Sequence, residues 1–155
     1  MKRVAILSDT HGMLRPEVKK ELEQADYILH AGDINKQEIV DEMAQYAPLA
    51  IVRGNNDKEW AEHLPMTDTV TIEGVTFFLV HNKKDIPKEL SGVDVIVYGH
   101  SHKYEQKEED GVLRLNPGSC GRRRFDLEIT MSRMFIENGT YRVEKVLIPH
   151  EKKIK

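Results

Sequence analysis

Five times along this chain a short apolar run stops at a cluster of Asp, His or Asn, and that repetition restricts how the chain can fold. The runs are 3–7 (RVAIL), 26–30 (DYILH), 48–52 (PLAIV), 75–80 (VTFFLV) and 93–98 (VDVIVY). Their length and β-branched content mark them as strands. Between the first three lie helical patterns. Residues 16–24 open on Pro16, a favourable first helical residue, and 36–46 carry Ile39, Val40 and Met43 on one face. The order β-α-β-α-β implies parallel strands joined by right-handed crossovers.

The second half reads differently. Residues 69–73 and 75–80 pair around Glu73-Gly74, and a short helix is expected over 85–91 with Pro87 near its start. Residues 103–115 predict a hairpin turning at Asp110-Gly111, and 125–148 a long final hairpin turning at Asn138-Gly139. The expected fold class is therefore α/β: two mixed sheets packed face to face, with helices on the outer faces. A chain of 155 residues fits one such domain, 1–155, with a proper core.

The polar clusters carry the chemistry. Asp9 and His11 follow the first run, Asp33 the second, Asn55 and Asp57 the third, His81 the fourth, and His100 and His102 the fifth. Sites in open α/β sheets form beyond the carboxyl ends of strands, so these side chains are expected to meet at one edge. Two carboxylates, four imidazoles and one amide left together without a partner would suffer desolvation and mutual repulsion. Divalent cations relieve both. Oxygen and imidazole ligands without thiolate suit Mn, Fe, Zn, Ni or Co. Seven such residues exceed what one ion takes from protein while keeping an open position, and two ions sharing a carboxylate fit better.

SDTHG (8–12), HAGD (30–33), RGNND (53–57), His81, GHSH (99–102) and NPGS (116–119) together resemble the ordered signature of the calcineurin-like metallophosphoesterases, above all the small single-domain phosphodiesterases of bacteria and archaea. The resemblance implies a four-layer α/β/β/α sandwich. It implies that Asp9, His11 and His102 bind one metal, that Asn55, His81 and His100 bind another, and that Asp33 bridges them. Mn is the expected metal. The activity it implies is hydrolysis of a small phosphate ester, most often a diester, by a hydroxide bound at the two-metal centre. Gly12, Gly32, Gly54 and Gly99 then allow tight turns beside the metals.

Two positions depart from the family pattern. Many members carry His where this chain has Asn56, and that His is thought to protonate the leaving group. Asn56 is expected to bind substrate instead, and a missing acid costs on the order of 10²–10⁴ in rate with poor leaving groups. Asn82 stands where the family has Gly after the His, a change that Asn tolerates because it accepts left-handed backbone angles. Two other functions are compatible with the pattern: a catalytically weak protein-binding scaffold of the same fold, and a nuclease.

Charge and composition weigh against some partners. The formal net charge is -3, which disfavours a dedicated nucleic-acid surface. No apolar stretch approaches the roughly 20 residues of a membrane span, and the N-terminal run is too short for a signal peptide. Cys120 is the only cysteine, so no internal disulfide forms; a cytoplasmic setting is expected and a homo-oligomer is left open. His30 is weighed equally as an orienting residue and as a strand-end histidine, and Asp57 as a site residue and as a turn stabiliser. Asn116 to Ser119 are expected to shape the site wall. Lys83, Lys84 and Arg122 to Arg124 are possible phosphate contacts. Cys120, Trp60 and the methionines are expected to pack, and His63 and His150 to face solvent.

Overall fold

The computed structural model describes residues 1–121 and 127–149. Among them the chain forms β1 (Lys2–Leu7), α1 (Pro16–Glu23), β2 (Tyr27–His30), α2 (Gln37–Ala44), β3 (Leu49–Ile51), β4 (Thr67–Ile72), β5 (Val75–Val80), β6 (Val95–Val97), β7 (Glu105–Glu109), β8 (Val112–Asn116), β9 (Thr130–Glu137) and β10 (Thr140–Leu147). Two mixed five-stranded sheets result, ordered β10-β9-β1-β2-β3 and β4-β5-β6-β8-β7. The strands that precede the polar clusters run parallel within each sheet: β1-β2-β3 in the first, and β5-β6 in the second.

Burial on both faces explains why these strands read as continuous apolar runs and not as alternating ones. In β1, Val4 and Ile6 join a core with Phe77, Leu79, Val95 and Val97 from the facing sheet, while Ala5 and Leu7 pack with Val18, Leu22, Ile39 and Met43 of the helices. Phe78 and Val80 of β5 point the other way, into a smaller cluster with Ile96 and Tyr98. Fully burying each such side chain stabilises the fold by about 1.5–3 kcal/mol.

The two mixed sheets packed face to face match expectation, with one correction in the layer outside the second sheet. No helix forms over 85–91; a 3-10 turn spans Lys83–Asp85 and the rest is irregular. Pro87 cannot continue the turn's hydrogen bonding, and Ser91-Gly92 close the segment four residues on. Ile86, Leu90 and Val93 still cover the outer face of the second sheet as a loop. All three tight hairpins turn where expected, on pairs with positive φ: Glu73-Gly74 (48° and 83°), Asp110-Gly111 (53° and 78°) and Asn138-Gly139 (51° and 79°). No helix among the described residues is long and apolar enough to cross a membrane.

Candidate metal centre

Backbone zippering brings the strand-end loops together. The Asp9 N–H donates to the Gly32 carbonyl (2.9 Å), His11 N–H to Asp33 (3.0 Å) and Gly12 N–H to Ile34 (2.8 Å). Within the second sheet, the Gly99 N–H donates to the His81 carbonyl at 2.9 Å. Gly99 lies so close to the first loop that a Cβ there would collide with Ser8 and Asp9, and one at Gly54 would collide with Asp33. Both glycines therefore serve close approach.

Asp9 is fully buried, and its two oxygens differ. Oδ2 accepts from the Ser8 hydroxyl (2.8 Å) and the His100 N–H (3.1 Å). Among the described residues Oδ1 has no hydrogen-bond partner. Three imidazole nitrogens surround it instead, too far for hydrogen bonding: Nε2 of His102 at 3.5 Å, of His11 at 3.7 Å and of His81 at 3.9 Å. Nε2 of His11 and Nε2 of His102 face each other at 3.2 Å. A buried carboxylate oxygen ringed by lone-pair donors is the arrangement a cation satisfies.

The second half of the cluster is continuous with the first. Asp33 Oδ2 lies 3.2 Å from His81 Nε2 and 3.8 Å from His11 Nε2, so it reaches both sides. His81 Nδ1 donates to the Ala31 carbonyl at 2.8 Å, which turns Nε2 inward and fixes the ring. Burial favours the neutral forms of Asp33 and His81, but their mutual attraction outweighs it. The Asp33 carboxyl, which also accepts from Asn56, is held well below the usual range and the His81 imidazole is raised. The pocket thus favours positive charge. The ring of His100 stands edge-on to that of His81 at 5.3 Å between centroids, and its Nδ1 lies 3.2 Å from Asn55 Oδ1. All seven predicted ligands therefore share one edge. Asp9, Asp33, His11, His81 and His102 are buried there, with Asn55 and His100 exposed on its rim. Among the described residues two triads have ligand atoms close enough for one ion each: Asp9, His11 and His102, and Asp9, Asp33 and His81.

Much of what holds this edge escaped sequence reading. Five of the seven adopt left-handed backbone: Asp9 (φ 54°), His11 (46°), Asp33 (62°), His100 (76°) and His102 (63°). Such backbone costs about 1–2 kcal/mol per residue, a strain typical of functional sites. Asp57 carries the turn beneath them. Its Oδ2 accepts from the N–H groups of Asp33 and Gly54 (2.9 Å each), and its Oδ1 from those of Ile34 (2.9 Å) and Asn35 (2.8 Å). Asn56 donates from its backbone to Asp33 Oδ1 (2.9 Å) and from its amide to Asp33 Oδ2 (3.0 Å). Its side chain thus grips a candidate ligand.

His30 is fully buried and accepts from the Gly32 N–H on Nδ1 (3.0 Å), so Nε2 keeps the proton and donates to Thr10 Oγ1 (3.0 Å). Burial pushes its pKa down to about 3, against the pull of Asp9. It orients the first two loops as a neutral ring. Asn116 donates to the Gly99 carbonyl (3.2 Å) and Ser101 Oγ (3.1 Å), and Ser119 Oγ to the Asp9 carbonyl (2.9 Å), so the NPGS turn does buttress the site. Cys120 is buried against Ser8, and burial raises its thiol to about 12, consistent with a filler. Trp60 packs on the helix-side core and His63 is exposed. Met1 and Met66, expected to pack, are 75 % and 57 % exposed instead. Arg122, Arg123, Arg124 and His150 lie outside the described residues.

Two clefts open beside this edge and share Asn82 as a wall. One, of about 250 Å³, is lined by Arg53, Asn55, Met66 and His81; the other, of about 330 Å³, by Lys83, Lys84, His100 and Lys103.

Comparison with known proteins agrees with this geometry. Residues 1–139 match the family described as the calcineurin-like phosphoesterase superfamily domain. The chain is 31% identical over 140 residues to a phosphodiesterase of Methanocaldococcus jannaschii, with 76% of this chain and 84% of that protein covered. It is 29% identical over 147 residues to phosphodiesterase YfcE of Escherichia coli, covering 77% and 79% respectively. Its fold is also that of Vps29 from Chaetomium thermophilum, with a TM-score of 0.76, 22% identity and 95% of each chain covered.

Proposed function

The chain belongs to the calcineurin-like phosphoesterase superfamily, whose members related to it include phosphodiesterases of archaea and bacteria, and from that premise we propose that it hydrolyses phosphodiesters at a two-metal centre. That it is a hydrolase of phosphoric esters follows from the family. The finer reading concerns the ligands, the number of ions and the diester preference, within a single domain spanning 1–155. The observation that carries it is Asp9 Oδ1, a buried carboxylate oxygen without a hydrogen bond inside a ring of imidazole nitrogens.

In this reading Asp9, His11 and His102 hold one ion, Asn55, His81 and His100 the other, and Asp33 both. The donor set fits Mn, with Fe, Zn, Ni or Co as substitutes. When bound, such ions lower the pKa of water and neutralise charge that develops on the phosphoryl oxygens. The chain's own residues set the stage. Ser8 and the His100 N–H hold Asp9 so that only Oδ1 faces inward. The Ala31 carbonyl fixes His81, and Asn56 fixes Asp33. Asn56 also stands on the exposed rim, where its amide can meet a phosphoryl oxygen but cannot protonate a leaving alcohol near neutral pH. In the reaction the water oxygen bonds to phosphorus, the bond to one alcohol breaks, and that alcohol leaves with a proton derived from the water.

Room for two substituents favours a diester. A phosphorus held beside His81, Asn55 and His100 has a cleft on either side of Asn82. Protein stripped of metal should hydrolyse neither bis-p-nitrophenyl phosphate nor p-nitrophenyl phosphate. Added Mn²⁺ should restore hydrolysis, faster for the diester. Activity that survives chelation would count against metal dependence, and a faster monoester against the diester reading. Silence toward both esters with every divalent ion would favour the scaffold reading.

A further inference from the structure

The larger cleft has a charge opposite to the chain's. The whole sequence holds 26 acidic and 23 basic residues, yet Lys83, Lys84 and Lys103 line this one cleft against a single carboxylate, Glu105. Glu105 is already engaged, because it accepts from the Tyr98 hydroxyl. None of the three lysines has a carboxylate within 4.0 Å among the described residues.

Their convergence is built by two separate loops. Lys83 and Lys84 belong to the 3-10 turn after β5, held by the Lys84 N–H donating to Asn82 Oδ1 at 3.0 Å. Lys103 follows the GHSH loop, with its N–H donating to Ser101 Oγ at 3.3 Å. Ser101 Oγ in turn accepts from Asn116 at 3.1 Å. The same loops carry His81, His100 and His102, so the lysines are anchored to the candidate metal edge itself. Like charges gathered in a concave space repel one another unless an anion joins them.

We propose that this cleft is a subsite for a second phosphate, so that the substrate is a phosphodiester one of whose alcohol arms itself carries a phosphate group. The inference rests on the phosphodiesterase reading above and narrows its substrate class. The reacting phosphate lies at the metal edge, and the phosphorylated arm reaches past His100 to the lysines. Lysine ammoniums recognise phosphate as point charges on flexible stems, which suits an arm of variable geometry. The same chemistry occurs in small nucleotides and along a single-stranded nucleic acid.

A matched pair of substrates tests this: thymidine 5′-p-nitrophenyl phosphate and the same ester bearing a 3′-phosphate, both with the Mn²⁺-loaded protein. The 3′-phosphate should raise kcat/KM by roughly tenfold or more, mainly through KM, as expected for charge-assisted contacts. The advantage should collapse toward unity in the triple variant Lys83→Gln/Lys84→Gln/Lys103→Gln, whose exposed positions spare the fold, and in high salt. Equal kcat/KM for the two esters, or an advantage that survives the triple substitution, would overturn the proposal. A short oligothymidylate separates the sources: cleavage assigns the arm to a nucleic-acid strand, and resistance beside turnover of the small ester assigns it to a nucleotide. Bis-p-nitrophenyl phosphate in the same preparation reports on the phosphodiesterase reading separately. If no ester turns over, calorimetry still decides the subsite. Thymidine 3′,5′-bisphosphate should bind more tightly than thymidine 5′-monophosphate in the wild type and lose that advantage in the triple variant, and equal binding in the wild type would refute it.

Discussion

Asp33→Asn is expected to lower Mn²⁺-dependent hydrolysis of bis-p-nitrophenyl phosphate by roughly 10³-fold, since metal assistance supplies several kcal/mol at the transition state. The substitution is nearly isosteric and suits the backbone. Asp33 sits at φ 62°, a left-handed conformation that Asn accepts. One amide oxygen can still receive the Asn56 N–H, which now donates to Asp33 Oδ1 at 2.9 Å. What disappears is the negative charge between His11 and His81, 3.8 Å and 3.2 Å from Oδ2. Without it the imidazoles face one another and any cation with one carboxylate, Asp9, remaining in the cluster. Retained Mn²⁺ should therefore fall for both ions together, while the metal-free protein loses some stability in urea along with the attraction between Asp33 and His81. Two ions still tightly bound, with hydrolysis intact, would remove Asp33 from its bridging position.

Asp57→Ala should cost the metal-free protein about 4 kcal/mol, because buried donors that lose a partner cost about 1–3 kcal/mol each. The Asp57 carboxylate is 6% exposed and accepts from four backbone N–H groups, those of Asp33, Ile34, Asn35 and Gly54. Alanine leaves all four without an acceptor. It also releases the segment in which Asp33 (φ 62°) and Asn35 (φ 78°) hold left-handed backbone. Against a total stability of about 5–15 kcal/mol for an ordinary domain, such a loss brings the protein near its folding threshold. Urea denaturation measures it directly, and a loss below about 1 kcal/mol would show that the clamp is dispensable. Asp57→Asn should fall between, since one of its two terminal groups still accepts.

These two predictions mark how far sequence reading reached. The gathering of Asp9, Asp33, His81 and His100 was legible because the strands before them are buried on both faces and therefore stand out as apolar runs. The hairpins were legible because Asp110-Gly111 and Asn138-Gly139 each place both residues at positive φ, which few pairs tolerate. The expected helix over 85–91 did not form, because Ile86 and Leu90 serve the second sheet's outer face from a loop around Pro87. Asp57 could not be assigned from the chain alone. It lies 23 residues in sequence from Ile34 and 24 from Asp33, so its bonds to Asp33, Ile34 and Asn35 exist only once β2 and β3 pair. Lys103 likewise meets Lys83 and Lys84 only after β5 and β6 align. His30 was undecided in sequence, and its ring became an orienting group through Gly32 and Thr10.

The two-metal centre is tested most directly by titrating metal-free protein with Mn²⁺ while bound ions and hydrolysis of bis-p-nitrophenyl phosphate are followed in the same samples. Binding should saturate at about two ions per chain, with full activity appearing only as the second site fills. Saturation at one ion with full activity, or hydrolysis that is indifferent to Mn²⁺, would contradict it.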